Sequence, residues 1–174
     1  MDIFAHGLWG GITFGRKKIF GLAMLFGVLP DLLAFGPYFI IRITHGTLKL
    51  GKPNLAEIPQ WIFTSYNISH SLFTALALYL IIRYFSKTLS YTFLAYPLHI
   101  LCDIFTHSKS FFPTPFLFPV SNFKVDGISW ADPTFMILNY TAIIITYATF
   151  FIAKARKKRK LLGESLKKGI NIFV

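Results

Sequence analysis

Ionisable side chains recur at four-residue steps along an apolar stretch, from His99 through Asp103 to His107. Each step of four turns an α-helix by only about 40°, so the three side chains share one face. Imidazole nitrogens and a carboxylate oxygen in that arrangement suit a divalent ion such as zinc, manganese or iron. The spacing therefore predicts a metal site, and the alternative is a His–Asp hydrogen-bonded pair that only holds helices together.

Three further ionisable side chains interrupt apolar stretches elsewhere, at His6, Asp31 and His70. At membrane depth such a group costs about 2.5–3.5 kcal/mol on insertion scales, which favours a functional reason for its presence. Other interpretations remain open: Asp31 as a helix N-cap after a break at Pro30, His70 as a core histidine, and His6 facing solvent from an interfacial segment. We predict a metal-ligand set of six residues: His6, Asp31, His70, His99, Asp103 and His107.

Such a ligand set has a natural chemical use. One or two bound divalent ions lower the pKa of a bound water and polarise a carbonyl or phosphoryl oxygen. A carboxylate that does not bind metal, either Asp31 or Asp103, would then act as general base. A site at membrane depth favours a lipid or an amphipathic ester as substrate, so we predict a metal-dependent hydrolase of ester or phosphoester bonds.

The composition of the 174 residues indicates a membrane protein. Apolar residues make up 54% of the chain and charged residues only 14%, against about 25% charged residues in soluble domains. This argues against a disordered or collagenous chain and against a soluble enzyme. A single cysteine, Cys102, excludes an intramolecular disulfide and a cysteine-rich zinc site.

The elements that must position these residues are apolar helices. Crossing a membrane takes roughly 20 mainly apolar residues, and four windows qualify: 19–41, 61–82, 88–106 and 134–153. Residues 3–14 are too short to span and would lie at the interface or enter the membrane partway. We therefore predict an all-α polytopic membrane bundle of four spanning helices plus a short N-terminal helix. Residues 1–153 form the membrane domain and residues 154–174 a basic tail.

The basic residues predict the orientation, because basic loops stay on the cytoplasmic side. With the tail inside, thirteen Lys and Arg residues lie on the inner side of the predicted spans and five on the outer side. We therefore predict a multi-pass protein of the cell membrane with a cytoplasmic C-terminus. Residues 108–133 would face outward, and Pro113, Pro115 and Pro119 predict an irregular lid there.

The net charge of +11 comes mostly from the tail, which holds eight basic residues and one acidic residue. Since the tail directly follows a predicted span, anionic lipid is the partner expected for it, beside the membrane lipids around the spans. Anchoring of the last span explains the charge, and we expect no nucleic-acid partner.

Several short motifs occur together in this chain: Asp2-Ile-x2-His6, Pro30-Asp31, Ser69-His70-Ser71, His99-x3-Asp103-x2-Thr106-His107, Phe116-Leu-Phe-Pro119-Val-Ser121 and Gly127-Ile-Ser-Trp130. In this order they resemble the membrane-bound metal-dependent hydrolase family, the LexA-regulated inner-membrane hydrolases. That family is in turn similar to the helical fold of zinc phospholipase C and P1 nuclease. The resemblance implies that His6, Asp31, His70, His99 and Asp103 match metal and active-site positions. One departure is Ser65, where many members have a further histidine.

Two other classes of function are compatible with the same residues. Intramembrane His and Asp also form proton and metal pathways, so a transporter or an ion-coupling protein is the first alternative. The second is a non-catalytic membrane organiser whose polar residues only lock helices together.

Overall fold

The computed structural model describes residues 1–16, 18–48 and 54–170. Within these residues the chain is all-helical and contains no β-strand, as the sequence predicts. The helices follow in the order α1 (Ile3–Phe14), α2 (Phe20–Thr44), a 3-10 turn (Leu55–Glu57), α3 (Gln60–Ser69), α4 (Leu72–Phe85), α5 (Lys87–Phe93), α6 (Ala95–Thr106) and α7 (Pro133–Ile170).

Two helices of the described chain are long and apolar enough to cross a membrane by themselves. These are α2, with 25 residues, and the Pro133–Glu164 part of α7. Few of their side chains are buried against the rest of the protein, which suits helices surrounded by lipid. The length and hydropathy of these two helices are those of a membrane protein. The prediction of four spanning helices is wrong.

The second predicted span is broken in the middle. Helices α3 and α4 are long and apolar enough to cross a membrane only when they are taken together, and they are bent by 55° at their junction. Ser71 begins α4 as its N-cap, because its hydroxyl accepts a hydrogen bond from the amide of Phe73 at 3.1 Å. The junction therefore ends one helix and starts the next beside His70.

The third predicted span is divided into α5 and α6. Helix α6 has 12 residues and is about 18 Å long, too short to cross about 30 Å of hydrocarbon. Polar residues of both helices are buried inside the protein: Thr92 of α5, and His99 and Asp103 of α6. An average hydropathy cannot tell such a buried segment from a lipid-facing one, and that explains the excess span in the prediction.

Helix α1 packs directly against α2, and glycines permit the approach. A Cβ atom on Gly27 of α2 would lie 2.5 Å from the His6 carbonyl oxygen, and one on Gly10 would lie 2.8 Å from the Ala23 carbonyl oxygen. Both distances are too short for any side chain. The N-terminal helix therefore lies within the bundle, and His6 is buried instead of facing solvent.

The segment between α6 and α7 forms no helix or strand, as its prolines predict. It closes over the end of α6: the amides of Gly127 and Ile128 donate to the His107 and Phe105 carbonyls, both at 2.9 Å. A Cβ on Gly127 would lie 2.4 Å from the Phe105 oxygen, so this approach requires glycine. We call residues 108–132 the lid.

Helix α7 continues without a break from its apolar half into the basic tail, as far as Ile170. Backbone structure therefore places no boundary between residues 153 and 154. The division there into a membrane domain and a tail stays a prediction based on charge.

Candidate metal centre

Four predicted ligands converge at one point between α2, α6 and the α3–α4 junction. Each of Asp31, His70, His99 and Asp103 offers one ligand atom within 4.8 Å of those of the other three. His70 Nε2 lies 3.1 Å from His99 Nε2 and 3.5 Å from Asp31 Oδ1. His99 Nε2 lies 3.1 Å from Asp103 Oδ2.

Asp31 reaches this point from the middle of α2. The helix runs on unbroken through Pro30 and Pro37, so Asp31 is not the N-cap that a proline break would create. Its side chain is 15% exposed, whereas those of His70, His99 and Asp103 are fully buried. Asp31 is therefore the member of the group that is open to its surroundings.

His70 lies at the end of α3, where the chain turns into α4. Its Nδ1 lies 3.2 Å from the carbonyl oxygen of Tyr66 and 2.9 Å from the hydroxyl of Ser69. Since that hydroxyl itself donates to the Tyr66 carbonyl, Nδ1 is the donor in both contacts. The remaining ring nitrogen, Nε2, then carries the lone pair that faces the cluster.

His99 is oriented by the close approach of α1 and α2 to α6. Its Nδ1 lies 2.7 Å from the carbonyl oxygen of Gly27, an acceptor, so this nitrogen carries the proton. Nε2 therefore presents a lone pair toward His70 Nε2. Backbone carbonyls fix the tautomer of metal-ligating histidines in the same way in known metal sites.

With both imidazoles neutral, these tautomers leave two nitrogen lone pairs facing each other in the cluster. Two imidazole lone pairs meet at 3.1 Å, and Asp103 Oδ2, buried 3.1 Å from His99 Nε2, has no hydrogen-bond partner among the described residues. Burying such groups is costly unless a cation or a donor satisfies them. A divalent ion would also balance the two carboxylate charges.

The distances fit a small ion. Ligand atoms bound tetrahedrally at about 2.0–2.1 Å stand roughly 3.3 Å apart, and those measured from His70 and His99 are 3.1–3.8 Å. The residue types and distances therefore fit a small divalent ion.

The other two predicted ligands, His6 and His107, lie beside this group but outside it. They meet the second oxygen of Asp103: His6 Nε2 lies 2.8 Å and His107 Nδ1 3.3 Å from Oδ1. The amino group of Met1 also contacts Oδ1. His6 stacks on His99 with the ring centroids 3.5 Å apart. His6 thus hydrogen-bonds Asp103, whereas His107 Nδ1 lies near Oδ1 without a hydrogen bond among the described residues.

A cavity of about 450 Å³ opens beside the cluster. Asp31 and His107 lie at one end, and the aromatic rings of Phe35, Phe111 and Phe112 form much of its wall. The cavity gives a ligand access to Asp31, whereas His70, His99 and Asp103 do not line it.

Two residues of the site were missed by the sequence reasoning. The Tyr66 ring stacks on His70 with the ring centroids 3.8 Å apart, and the Tyr66 carbonyl oxygen accepts the His70 Nδ1–H. The spacing of four residues between Tyr66 and His70 in a predicted helix could have indicated this contact. Gly27 supplies the carbonyl that orients His99, and no local pattern indicates that contact because it joins distant helices.

The chain was also compared with known proteins. No family model, no curated protein and no solved structure matches it.

Proposed function

We propose that this chain is an integral-membrane, metal-dependent hydrolase of the membrane-bound family it resembles. Its substrates would be ester or phosphoester bonds in a lipid or an amphipathic molecule. One observation carries the proposal: two imidazole lone pairs and two carboxylates converge in a buried cluster that opens, through Asp31, onto an apolar cavity.

The exposure of Asp31 favours catalysis over a structural role. Structural zinc sites are closed by four protein ligands, whereas catalytic sites keep a position open to substrate. Three members of the group are fully buried, and only Asp31 lines the cavity. Among the described residues, the cavity therefore gives a reacting group its approach from the Asp31 side.

The residues of the cluster divide the work of hydrolysis. A bound divalent ion supplies a more acidic water and polarises the oxygen of the scissile group. We assign the general base to Asp31, which would then stay off the ion and leave His70, His99 and Asp103 as its three protein ligands. Asp103 is fully buried with His6 and His107 beside its Oδ1, which favours the ligand role for it. Asp31 takes a proton from water as the water oxygen bonds to the acyl carbon or phosphorus. The bond from that centre to the leaving oxygen breaks, and Asp31 returns the proton to it.

Metal content separates this proposal from a merely structural cluster. We expect at least one zinc, manganese or iron per detergent-purified chain, and loss of the metal in the double variant His99→Ala/Asp103→Ala. The matched control is His45→Ala, which removes an exposed histidine at the end of α2. Full retention of metal by the double variant would refute the site.

Activity assays decide between hydrolase and transporter. The purified chain is offered ester and phosphoester amphiphiles, and the same chain in liposomes is tested for metal flux. We expect metal-dependent turnover that Asp31→Asn abolishes while the fold is kept. Metal flux without turnover would instead support a transporter.

We further propose that the tail lies in the cytoplasm against anionic lipid. The support is the uncharged stretch of α7 before Lys154, followed by exposed basic residues on the same helix. Replacing the basic residues of 157–160 with glutamine should reduce the anionic lipid that co-purifies with the chain. Unchanged lipid content would count against this interaction.

A further inference from the structure

One wall of the cavity is a single face of α2. Asp31, Phe35, Tyr38, Phe39 and Arg42 all line it, and their spacing of three and four residues is that of one helix face. Eleven residues at 1.5 Å each separate Asp31 from Arg42, about 16 Å along the axis. The cavity therefore connects the candidate metal centre with an arginine near the end of α2.

The stretch between these two ends is lined with apolar groups. Phe35 of α2 contacts Phe112 of the lid edge to face, with ring centroids 5.1 Å apart. Phe111 and Ile58 line the same space. Such a surface binds hydrocarbon by excluding water from it. The volume of about 450 Å³ is in the lower part of the 300–1,000 Å³ range of small-ligand sites, which suits one chain and not two.

Arg42 lines the end of the cavity that is farther from Asp31, and its guanidinium has N–H groups available for a ligand. Its described ion pair is with Glu57, and the Nη2–Oε2 distance is 3.9 Å, beyond hydrogen-bonding range. A guanidinium offers five N–H groups in a planar fork that matches a carboxylate or a phosphate. An anion at this end of the cavity would replace the weak contact with Glu57.

We propose that the cavity binds a single-chain anionic amphiphile, with its carboxylate or phosphate on Arg42 and its chain along the aromatic wall toward Asp31. The part that concerns the metal centre rests on the proposed function: the hydrolysed bond would lie at the opposite end of the molecule from the anionic group. The binding itself does not depend on hydrolysis.

Binding is tested with the full chain in nanodiscs of neutral phosphatidylcholine, where native mass spectrometry counts bound dodecyl phosphate. We expect Arg42→Gln to weaken this binding about tenfold or more, as for loss of a hydrogen bond to a charged group. Arg42→Lys, which keeps the charge, should weaken it less. Arg83→Gln removes an exposed arginine on α4 and is the matched control, expected to leave binding unchanged.

Binding measurements with other ligands decide whether the cavity takes an amphiphile or a free anion. Dodecanol should bind more weakly than dodecyl phosphate in the wild type and equally to it in Arg42→Gln. Inorganic phosphate should compete poorly; competition equal to that of dodecyl phosphate would overturn the amphiphile in favour of a free anion. Equal binding of dodecyl phosphate by wild type and Arg42→Gln would overturn the subsite.

The two proposals can fail separately. Arg42-dependent binding in a wild-type chain that shows no metal-dependent turnover would support the subsite and contradict the hydrolase. Metal-dependent turnover in the wild type, together with dodecyl phosphate binding that does not change in Arg42→Gln, would support the hydrolase and overturn the subsite.

Discussion

The Nε2 atoms of His70 and His99 lie 3.1 Å apart. Because the Nδ1 of each ring donates to a backbone carbonyl, neither Nε2 of the neutral rings carries a proton that could bridge them. The two rings come from different helical segments: the Tyr66 carbonyl of α3 orients His70, and the Gly27 carbonyl of α2 orients His99. Neutral imidazoles in these tautomers repel each other at this distance. A cation between them removes the repulsion, and measurable consequences follow for metal binding, packing and topology.

Zinc should stabilise the wild-type chain and not the His99→Ala variant. Metal that binds only the folded state at a hundred times its dissociation constant adds about 2.7 kcal/mol. We expect the thermal midpoint in detergent to rise with zinc, to fall again with a chelator, and to respond in His45→Ala as in the wild type. An equal rise in His99→Ala would place the zinc elsewhere.

Gly27→Ala should damage both the packing of α1 and the site. The added methyl would meet the His6 carbonyl oxygen at 2.5 Å, so we expect a loss of about 1–3 kcal/mol in unfolding free energy. The shift would also move the carbonyl that orients His99, so zinc affinity should fall.

Gly36→Ala is the control for this prediction. It lies in the same helix with nothing within 4 Å of the added Cβ, and alanine there should stabilise the helix by roughly 0.5–1 kcal/mol. Chemical denaturation and zinc titration measure both variants. A Gly27→Ala chain as stable as the wild type would contradict the close approach.

Tyr66 should have two separable roles. Its hydroxyl donates to the Phe112 carbonyl of the lid at 3.1 Å, while its ring stacks on His70. Tyr66→Phe keeps the ring, so we expect faster amide exchange in the lid, a loss of about 1 kcal/mol and unchanged zinc affinity. Tyr66→Ala should lower zinc affinity as well. Hydrogen exchange and zinc titration follow the two effects, and equal zinc affinity in both variants would refute the stacking role.

The ends of α7 should lie on opposite sides of the membrane. A reporter fused after Val174 should read cytoplasmic, because basic residues flank that end of the helix. In a Cys102→Ser background, a cysteine replacing the exposed Asn122 of the lid should react with an impermeant maleimide from outside. An external reading at Val174 would reverse the proposed orientation.

Local spacing was enough to predict the helical face that carries His99 and Asp103, since a four-residue step fixes the relative direction of two side chains on a helix. Apolar context was enough to single out Asp31 and His70, which the structure brings to the same cluster. The number of spans was not predictable in this way. Hydropathy reports how apolar a segment is, whereas the placement of Thr92 and Asp103 against other helices decides what that segment faces.

By itself, the sequence determined that this is a helical membrane protein with buried His and Asp residues, because composition and helical periodicity are local properties. Only the tertiary structure decided which ligands form one group, which support it, and where a cavity meets it. The Gly27 carbonyl on His99 and the path from Asp31 to Arg42 exist because helices distant in sequence pack together. No spacing along the chain specifies those contacts.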